Sequence, residues 1–256
     1  ILPVAFENQW QETARLLTTA RTVVVKKLGA AESFFKLNAD QRWPIASLTK
    51  LMTAVGALEK FSPGKQIIFN EAAVAVEGAA GDFQTGEAVT VVDAVKALMM
   101  VSSNDAAMAI AHTYGYENFL TAMQAKAAAL GMSQTVFADP TGLSFLNQST
   151  SGDLEKLVLY IYRHQPQIFQ YSRQQQALIA GGRTLTNINQ FSGRIDFFGG
   201  KTGYTDDANG NLISLFDDPR VPPADAPLLI IVLGTDDRFG KTEELLREYR
   251  LQYLER

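Results

Sequence analysis

Ser47 and Lys50 stand three residues apart at the start of an apolar-periodic segment that follows Pro44. Side chains at this spacing share one face of a helix, so the Lys50 amine would reach the Ser47 hydroxyl. Serine needs an adjacent base to act as a nucleophile, and a lysine is such a base only when its amine is neutral. Burial, the positive end of a helix dipole or a nearby Lys201 would each lower the pKa of Lys50. The alternative is a helix N-cap at Ser47 and a solvated lysine.

Ser102 and Asn104 belong to a polar segment between two predicted helices. A tight turn there would point both side chains the same way. Ser102 would then relay a proton to a leaving amine, and Asn104 would hold a substrate amide or orient Lys50. The segment from Ser102 to Asp105 is also rich in good N-cap and first-turn residues for the following helix. The residues alone leave both interpretations open.

Lys201, Thr202 and Gly203 lie on a predicted edge strand that follows two glycines. An edge strand can bind an extended peptide as an added strand, and a glycine removes the side chain that would block its approach. Lys201 would supply a cation, and Thr202 a hydroxyl, for a substrate carboxylate. The backbone N–H of Tyr204 and the first N–H groups of the helix at Ser47 would hold an oxyanion. A lysine that only protects a sheet edge from aggregation is the alternative.

The composition predicts a globular protein with a substantial core, since 46% of the 256 residues are hydrophobic. A net charge of −4 without any cluster of Lys and Arg argues against a nucleic-acid partner. The chain has no cysteine, and its two histidines, His112 and His164, have no partner at metal-ligand spacing. We therefore expect no metal, no cofactor and no His-dependent triad. No apolar run approaches the roughly 18 residues that span a bilayer, and the start at Ile1 suits a chain whose leader or anchor has been removed.

Strands at both ends of the chain enclose a helical middle. Predicted strands cover residues 22–27, 33–37, 182–187, 197–204, 211–216 and 228–233. Predicted helices cover residues 47–60, 92–101, 105–114, 117–130 and 154–164. A last amphipathic helix carries four apolar residues on one face, Leu245, Leu246, Tyr249 and Tyr253.

This order predicts an α/β or α+β domain in which the first and last segments pair in one sheet. The helical portion, roughly residues 62–165, would be inserted between them. The proline-rich stretch 217–227 lies between two predicted strands, so we interpret it as a hairpin loop and not as an interdomain linker.

Three short motifs occur in order, each in a fitting local context. They are Ser47-Leu48-Thr49-Lys50, Ser102-Ser103-Asn104 and Lys201-Thr202-Gly203. Their flanks extend the match over residues 44–54, 101–107, 139–143 and 200–205. On these residues the chain resembles the low-molecular-mass penicillin-binding proteins of the D-alanyl-D-alanine carboxypeptidase family, over about residues 20–250.

The resemblance implies a β-lactamase/transpeptidase-like fold, with a five-stranded antiparallel sheet, flanking helices and an inserted all-helical subdomain. It implies a loop from Gly78 to Gly86 beside the cleft. We expect one catalytic domain over residues 1–256 and, in departure from many relatives, no C-terminal β-domain. It assigns catalytic roles to Ser47, Lys50, Ser102, Asn104 and Lys201, and substrate binding to Thr202, Gly203 and Tyr204.

By this resemblance, Ser47 attacks the bond between two terminal D-alanines of a peptidoglycan stem peptide, and Lys50 takes its proton. Ser102 protonates the departing D-alanine, Asn104 positions the peptide, and the lysine and threonine of the K-T-G motif bind the terminal carboxylate. Water releases the acyl-enzyme, and β-lactams acylate the same serine. We expect an exported protein, periplasmic or at the extracytoplasmic face of a bacterial membrane, with any membrane attachment supplied by segments outside this chain.

Several alternatives share part of this pattern. Tyr204 and Thr141 stand where the carboxypeptidases often carry His, which leaves the substrate preference open. A D,D-endopeptidase that cuts D-alanyl cross-links would use the same site. A class A β-lactamase would need a further glutamate, and the region after Asn104 has no Glu-x-x-Leu-Asn sequence. A non-catalytic penicillin-binding or sensor module would have no need of a lysine base.

Overall fold

The structure is a computed structural model and describes residues 19–217 and 226–254. The strands in these ranges are β1 (Thr22–Lys27), β2 (Phe35–Leu37), β3 (Trp43–Pro44), β4 (Gln66–Ile68), β5 (Ala88–Thr90), β6 (Gln148–Ser149), β7 (Gln176–Leu178), β8 (Thr184–Thr186), β9 (Phe197–Thr205), β10 (Asn209–Phe216) and β11 (Leu228–Thr235). The helices are α1 (Lys50–Lys60), α2 (Glu71–Val74), α3 (Val91–Met100), α4 (Asn104–Tyr114), α5 (Tyr116–Ala129), α6 (Ser151–His164), α7 (Gln167–Ser172) and α8 (Arg238–Leu254). There are also two 3₁₀ turns, Ala46–Thr49 and Ala180–Gly182.

The main sheet is antiparallel, and its five strands lie in the order β2-β1-β11-β10-β9. β1 pairs with β11 along its whole length, with Thr22 opposite Leu233. This confirms the prediction that the first and last strands of the chain share one sheet. β10 pairs with β11, as a hairpin across 217–227 requires, although residues 218–225 lie outside the described part of the chain. β9, which carries the K-T-G motif, is an edge strand as predicted.

Both faces of the sheet are covered by helices. Successive residues of a strand point to opposite faces, and β1 shows this directly. Val24 packs in the cluster formed with the helices of the middle of the chain, whereas Val23 and Val25 pack in a second cluster. That second cluster contains three residues of α8, Leu245, Leu246 and Tyr249. The predicted apolar face of the last helix is confirmed for these three, and the side chain of Tyr253 lies outside the described residues.

α1 is the central helix of the other layer. Leu51, Met52 and Val55 are fully buried, and the helix packs against α3, α4 and α5. This confirms the predicted buried helix. Its start differs from the prediction, because residues 46–49 form a 3₁₀ turn and the α-helix begins at Lys50. Ser47 and Lys50 therefore lie at the junction of a 3₁₀ turn and a buried helix.

The sequence patterns predict neither α2 nor α7. α7 begins directly after Pro166, which the sequence suggests only as a stop for the preceding helix. Proline also starts helices, because its fixed φ suits the first turn. The short α2 is capped by Asn70, whose side-chain oxygen accepts a hydrogen bond from the Ala73 N–H at 2.9 Å.

Candidate active site

Ser47 lies in the 3₁₀ turn before α1, with its backbone beside the edge strand β9. A Cβ on Gly203 would lie 3.0 Å from the Ile45 carbonyl oxygen and 3.2 Å from the Ser47 nitrogen, so only a glycine allows this approach without adjustment. The Ser47 side chain caps no helix, since neither the 3₁₀ turn nor α1 has a side-chain cap. Its hydroxyl lies 2.8 Å from the Lys50 amine instead. The capping interpretation is therefore wrong for Ser47.

The Lys50 side chain is fully buried at the first turn of α1, so it is not the solvated lysine of the alternative interpretation. Its Nζ lies 2.8 Å from Ser47 Oγ, 2.5 Å from Asn104 Oδ1 and 2.6 Å from the Thr141 carbonyl oxygen. A neutral amine has two N–H donors and one lone pair. The two carbonyl oxygens can only accept, so they bind the N–H groups. The lone pair is then left for the hydroxyl proton of Ser47.

The electrostatics of the site favour this neutral form. Burial lowers the pKa of Lys50 from 10.5 to about 7, against the charges of Asp139 and Asp105, which raise it. The pKa of Lys201 also lies well below its usual value. Burial is the largest cause, and the charges of Lys50 and Arg238 lower this pKa further. Of the causes expected to lower the pKa of Lys50, burial is therefore the one that acts, whereas the expected contribution of Lys201 is not found. Burial is the main cause of the lowered pKa of Lys50. The repulsion between the two amines lowers the pKa of Lys201.

Ser102 and Lys201 form a second contact within the site. Ser102, in the turn between α3 and α4, has a φ of +58°, a left-handed conformation that is uncommon for serine. Its Oγ accepts a hydrogen bond from Lys201 Nζ at 2.8 Å, and the same amine donates to the Thr202 carbonyl at 2.8 Å. Lys201 and Thr202 are buried, whereas Tyr204 is 57% exposed. The K-T-G lysine thus contacts the serine that we expect to relay a proton.

Asn104 joins the site to the loop that follows α2. Its Oδ1 accepts from the Lys50 amine, and its Nδ2 donates to the Glu77 carbonyl at 2.7 Å. The loop reaches the site at Gly78, where a Cβ would lie 2.6 Å from Asn104 Nδ2. Ser103 is the N-cap of α4. Ser103 therefore caps the helix, whereas Ser102 and Asn104 contact the two lysines. The proton relay at Ser102 and the substrate contact at Asn104 stay predictions.

The Thr141 carbonyl belongs to a tight turn that the sequence identifies as a turn but not as a ligand of Lys50. The Asp139 carboxylate organises this turn by accepting five hydrogen bonds, at 2.6–2.8 Å, from Thr141 N and Oγ1, Gly142 N, Ser144 N and Asn147 Nδ2. Gly142 has a φ of +89°, and a Cβ there would lie 1.9 Å from the Ala46 carbonyl oxygen. The Asp-Pro-Thr-Gly sequence signals the turn, but a backbone carbonyl ligand has no signature of residue type.

Two general properties of the described residues bear on the site. Residues 19–217 and 226–254 contain no group of three or more His, Cys, Asp or Glu side chains that would hold a metal ion. In the same part of the chain, no helix combines the length and the apolar character that crossing a membrane requires.

Comparison with known proteins agrees with this geometry. A family model for D-alanyl-D-alanine carboxypeptidase matches residues 11–234. A D-alanyl-D-alanine endopeptidase of Pseudomonas aeruginosa is 31% identical over 245 residues, an alignment that covers 90% of this chain and 75% of that protein. The D-alanyl-D-alanine carboxypeptidase DacF of Bacillus subtilis is 31% identical over 150 residues, with 56% of this chain and 39% of that protein covered. The structure of penicillin-binding protein D2 from Listeria monocytogenes in its cefotaxime-bound form has a TM-score of 0.79 and 28% identity, over 90% of this chain and 96% of that chain.

The five-stranded sheet and its helices define a protein of the penicillin-binding, transpeptidase-like fold. The chain belongs to the D-alanyl-D-alanine carboxypeptidase family. The resemblance that rests on the three motifs and the predicted fold class are both confirmed.

Proposed function

We propose that the protein is a serine D,D-carboxypeptidase that cleaves the bond between the two terminal D-alanines of a peptidoglycan stem peptide. One observation carries the proposal. A fully buried amine with a pKa of about 7 lies 2.8 Å from Ser47 Oγ, and two carbonyl oxygens occupy its N–H groups. A group that only bound the substrate would have no need of a lone pair directed at a hydroxyl.

The reaction proceeds through an acyl-serine. Ser47 Oγ forms a bond to the carbonyl carbon as its proton passes to Lys50, and the N–H groups of Ser47 and Tyr204 stabilise the oxyanion. The C–N bond then breaks as Ser102 passes to the departing amine of D-alanine the proton that Lys50 took from Ser47, which leaves Lys50 neutral again. Lys201 holds the Ser102 hydroxyl across the 2.8 Å contact. Water hydrolyses the ester, with Lys50 again as the base.

The remaining groups hold the stem peptide. Asn104 positions the peptide amide, and the edge of β9 at Gly203 accepts the extended chain as an added strand. Thr202 and the Lys201 amine bind the terminal carboxylate, whose negative charge favours the protonated form of that amine. β-Lactams acylate the same serine, in keeping with the cefotaxime-bound form of the Listeria protein. Peptidoglycan lies outside the cytoplasm, so the enzyme acts on the extracytoplasmic side of a bacterial membrane.

The experiment that tests the proposal is covalent labelling with a fluorescent penicillin. Wild-type protein is expected to form a stable penicilloyl adduct, and Ser47→Ala is expected to form none because the attacking oxygen is absent. Ser62→Ala, at an exposed serine beyond the end of α1, is the matched control and should label like the wild type. Labelling that survives in Ser47→Ala would disprove the assignment of the nucleophile.

The second candidate function is that of a D,D-endopeptidase of peptidoglycan cross-links. The observation that favours it is the Pseudomonas aeruginosa relative, which is named an endopeptidase. The two activities differ only in the leaving group, which is free D-alanine in one case and a cross-linked peptide in the other. We expect the protein to release D-alanine from a stem pentapeptide faster than it separates a cross-linked dimer, measured by mass spectrometry with Ser47→Ala as the blank. The reverse order of rates would assign the endopeptidase activity.

A further inference from the structure

The peptide unit between Thr141 and Gly142 connects a buried carboxylate to the Lys50 amine. Its carbonyl oxygen accepts a hydrogen bond from Lys50 Nζ at 2.6 Å, and its N–H donates to Asp139 Oδ1 at 2.7 Å. The two contacts lie at opposite ends of one planar, dipolar unit. A negative charge at the N–H end polarises such a unit and strengthens the carbonyl as an acceptor. The Asp139 carboxylate and the Lys50 amine are therefore connected by two hydrogen bonds to one peptide group.

We propose that Asp139 is a positioning residue for the general base, which acts through the Thr141–Gly142 peptide to fix the Lys50 amine and keep it basic enough to take the Ser47 proton. The inference rests on the proposed function, because it concerns the same Ser47 and Lys50 pair.

The contacts of Asp139 support a permanent negative charge at this position. Burial alone would raise the pKa of Asp139, but its hydrogen bonds, that of the Thr141 hydroxyl first, lower it below the usual value. All five donors are neutral, since they are backbone N–H groups, a hydroxyl and the Asn147 amide. These donors stabilise the carboxylate without cancelling its charge.

The other charged groups around Lys50 do not take this role. Asp105, at the start of α4, also faces the amine, but burial raises its pKa, and its carboxylate is bound by Ser103 and by the Ala80 N–H. Lys201, on β9, has a pKa lowered well below its usual value by burial and by the charge of Lys50, and it carries no negative charge that would stabilise the protonated Lys50 amine.

Two further titratable groups lie around this cluster. Arg238, at the start of α8, acts on Lys201. Tyr116, at the start of α5, faces Asp139 and is itself neutral at physiological pH, since burial and that carboxylate raise its pKa. Among the groups described, Asp139 alone is linked to Lys50 through one of the carbonyls that bind the amine.

The consequence for catalysis comes from the balance of two effects. Burial makes the Lys50 amine neutral but also weakens it as a base. A general base works best when its pKa lies near the working pH. By stabilising the protonated amine that forms when Ser47 attacks, the Asp139 charge offsets part of the effect of burial.

The test is the pH dependence of penicillin acylation in Asp139→Asn. In the wild type, the second-order rate constant is expected to rise with pH as Lys50 loses its proton around pH 7. Loss of the negative charge favours the neutral amine, so this rise should move to lower pH by about one unit. The plateau rate constant should fall about threefold, because the base is weaker.

Asn147→Ala is the matched control, because it removes the 2.6 Å donor to Asp139 Oδ2 but leaves the carboxylate charge in place. In Asn147→Ala, the increase of the acylation rate constant with pH should occur at the same pH as in the wild type, even if the turn loses stability. If Asp139→Asn does not fold, Asp139→Asn combined with Asn147→Asp returns a carboxylate to the same hydrogen-bonded pair, away from the Gly142 N–H. The rise should then still lie below the wild-type pH.

The outcomes separate the two proposals. A wild-type protein with no Ser47-dependent acylation at any pH would overturn the proposed function. Ser47-dependent acylation that rises at the same pH in the wild type and the Asp139 variant would overturn the role of Asp139 alone. An equal shift in Asn147→Ala would show that turn structure, and not charge, sets the base, and would also overturn it.

Discussion

Replacement of Lys50 by methionine is expected to lower the rate constant for acylation of Ser47 by a penicillin about 10³-fold, the effect typical of a lost general base. Methionine is unbranched and fills the same buried space beside Ser47, but it has no lone pair basic enough to take the hydroxyl proton. The measurement is stopped-flow or mass-spectrometric acylation kinetics at a pH above 7, where the wild-type amine is neutral.

Stability should change much less than rate in this variant. Asn104 Oδ1 and the Thr141 carbonyl lose a donor, at about 1–3 kcal/mol each, but the variant also no longer buries an ionisable amine, which offsets part of that loss. Lys60→Met, at the exposed end of the same helix, is the control and should acylate at the wild-type rate. A Lys50→Met protein that acylates within about threefold of the wild type would rule out the lysine base.

Substitution of Gly142 by alanine is expected to damage both fold and activity. The added Cβ would lie 1.9 Å from the Ala46 carbonyl oxygen and 2.9 Å from the Ser47 nitrogen, so backbone must move. Overpacking together with an alanine at positive φ should reduce the free energy of unfolding by roughly 2–4 kcal/mol. Because the same shift displaces the Thr141 carbonyl and Ser47, acylation should fall about 100-fold.

The Gly131→Ala variant separates the effect of the steric clash from the effect of placing alanine in a left-handed backbone conformation. Gly131 has a φ of +70°, close to that of Gly142, but nothing lies within 4 Å of a Cβ there. It should lose only about 1 kcal/mol of stability and keep the wild-type acylation rate. Chemical denaturation and acylation kinetics on both variants provide the comparison. Equal losses in the two would mean that contact with Ala46 has no part in the effect.

The fold was largely predictable because its main elements bury continuous or periodic apolar faces. β11 and the valines of β1, Val23–Val25, are apolar on both sides of the sheet, and α1 shows a helical period, so their type and burial follow from local sequence. The sequence pattern does not predict α7, because Pro166 ends one helix and starts the next. It does not predict the 3₁₀ turn at Ser47, because the geometry of that turn depends on contacts with β9 and the Gly142 turn, which lie far away in sequence.

The candidate site was predictable in its residue types but not in its electrostatics. Ser47 and Lys50 are neighbours on any helix, so their contact follows from spacing. The role of burial at Lys50 depends on tertiary packing. No sequence pattern identifies the Thr141 carbonyl as a ligand of Lys50, because every residue has a backbone carbonyl. The proposed role of Asp139 depends on that same backbone group. The sequence therefore indicated which side chains meet, whereas only the structure showed what holds the base.

The two buried lysines also couple unfolding to proton uptake. Lys50 has a pKa of about 7 in the folded protein and 10.5 when exposed, so the unfolded chain binds more protons between these values. The contribution of Lys50 to stability is fully present above pH 10.5 and is lost as the pH falls to about 7. Lys201, with its pKa lowered in the same direction, adds to this trend. Keeping Lys50 neutral in the folded protein therefore reduces the free energy of unfolding near neutral pH. When the chain unfolds at that pH, it takes up protons from the solvent.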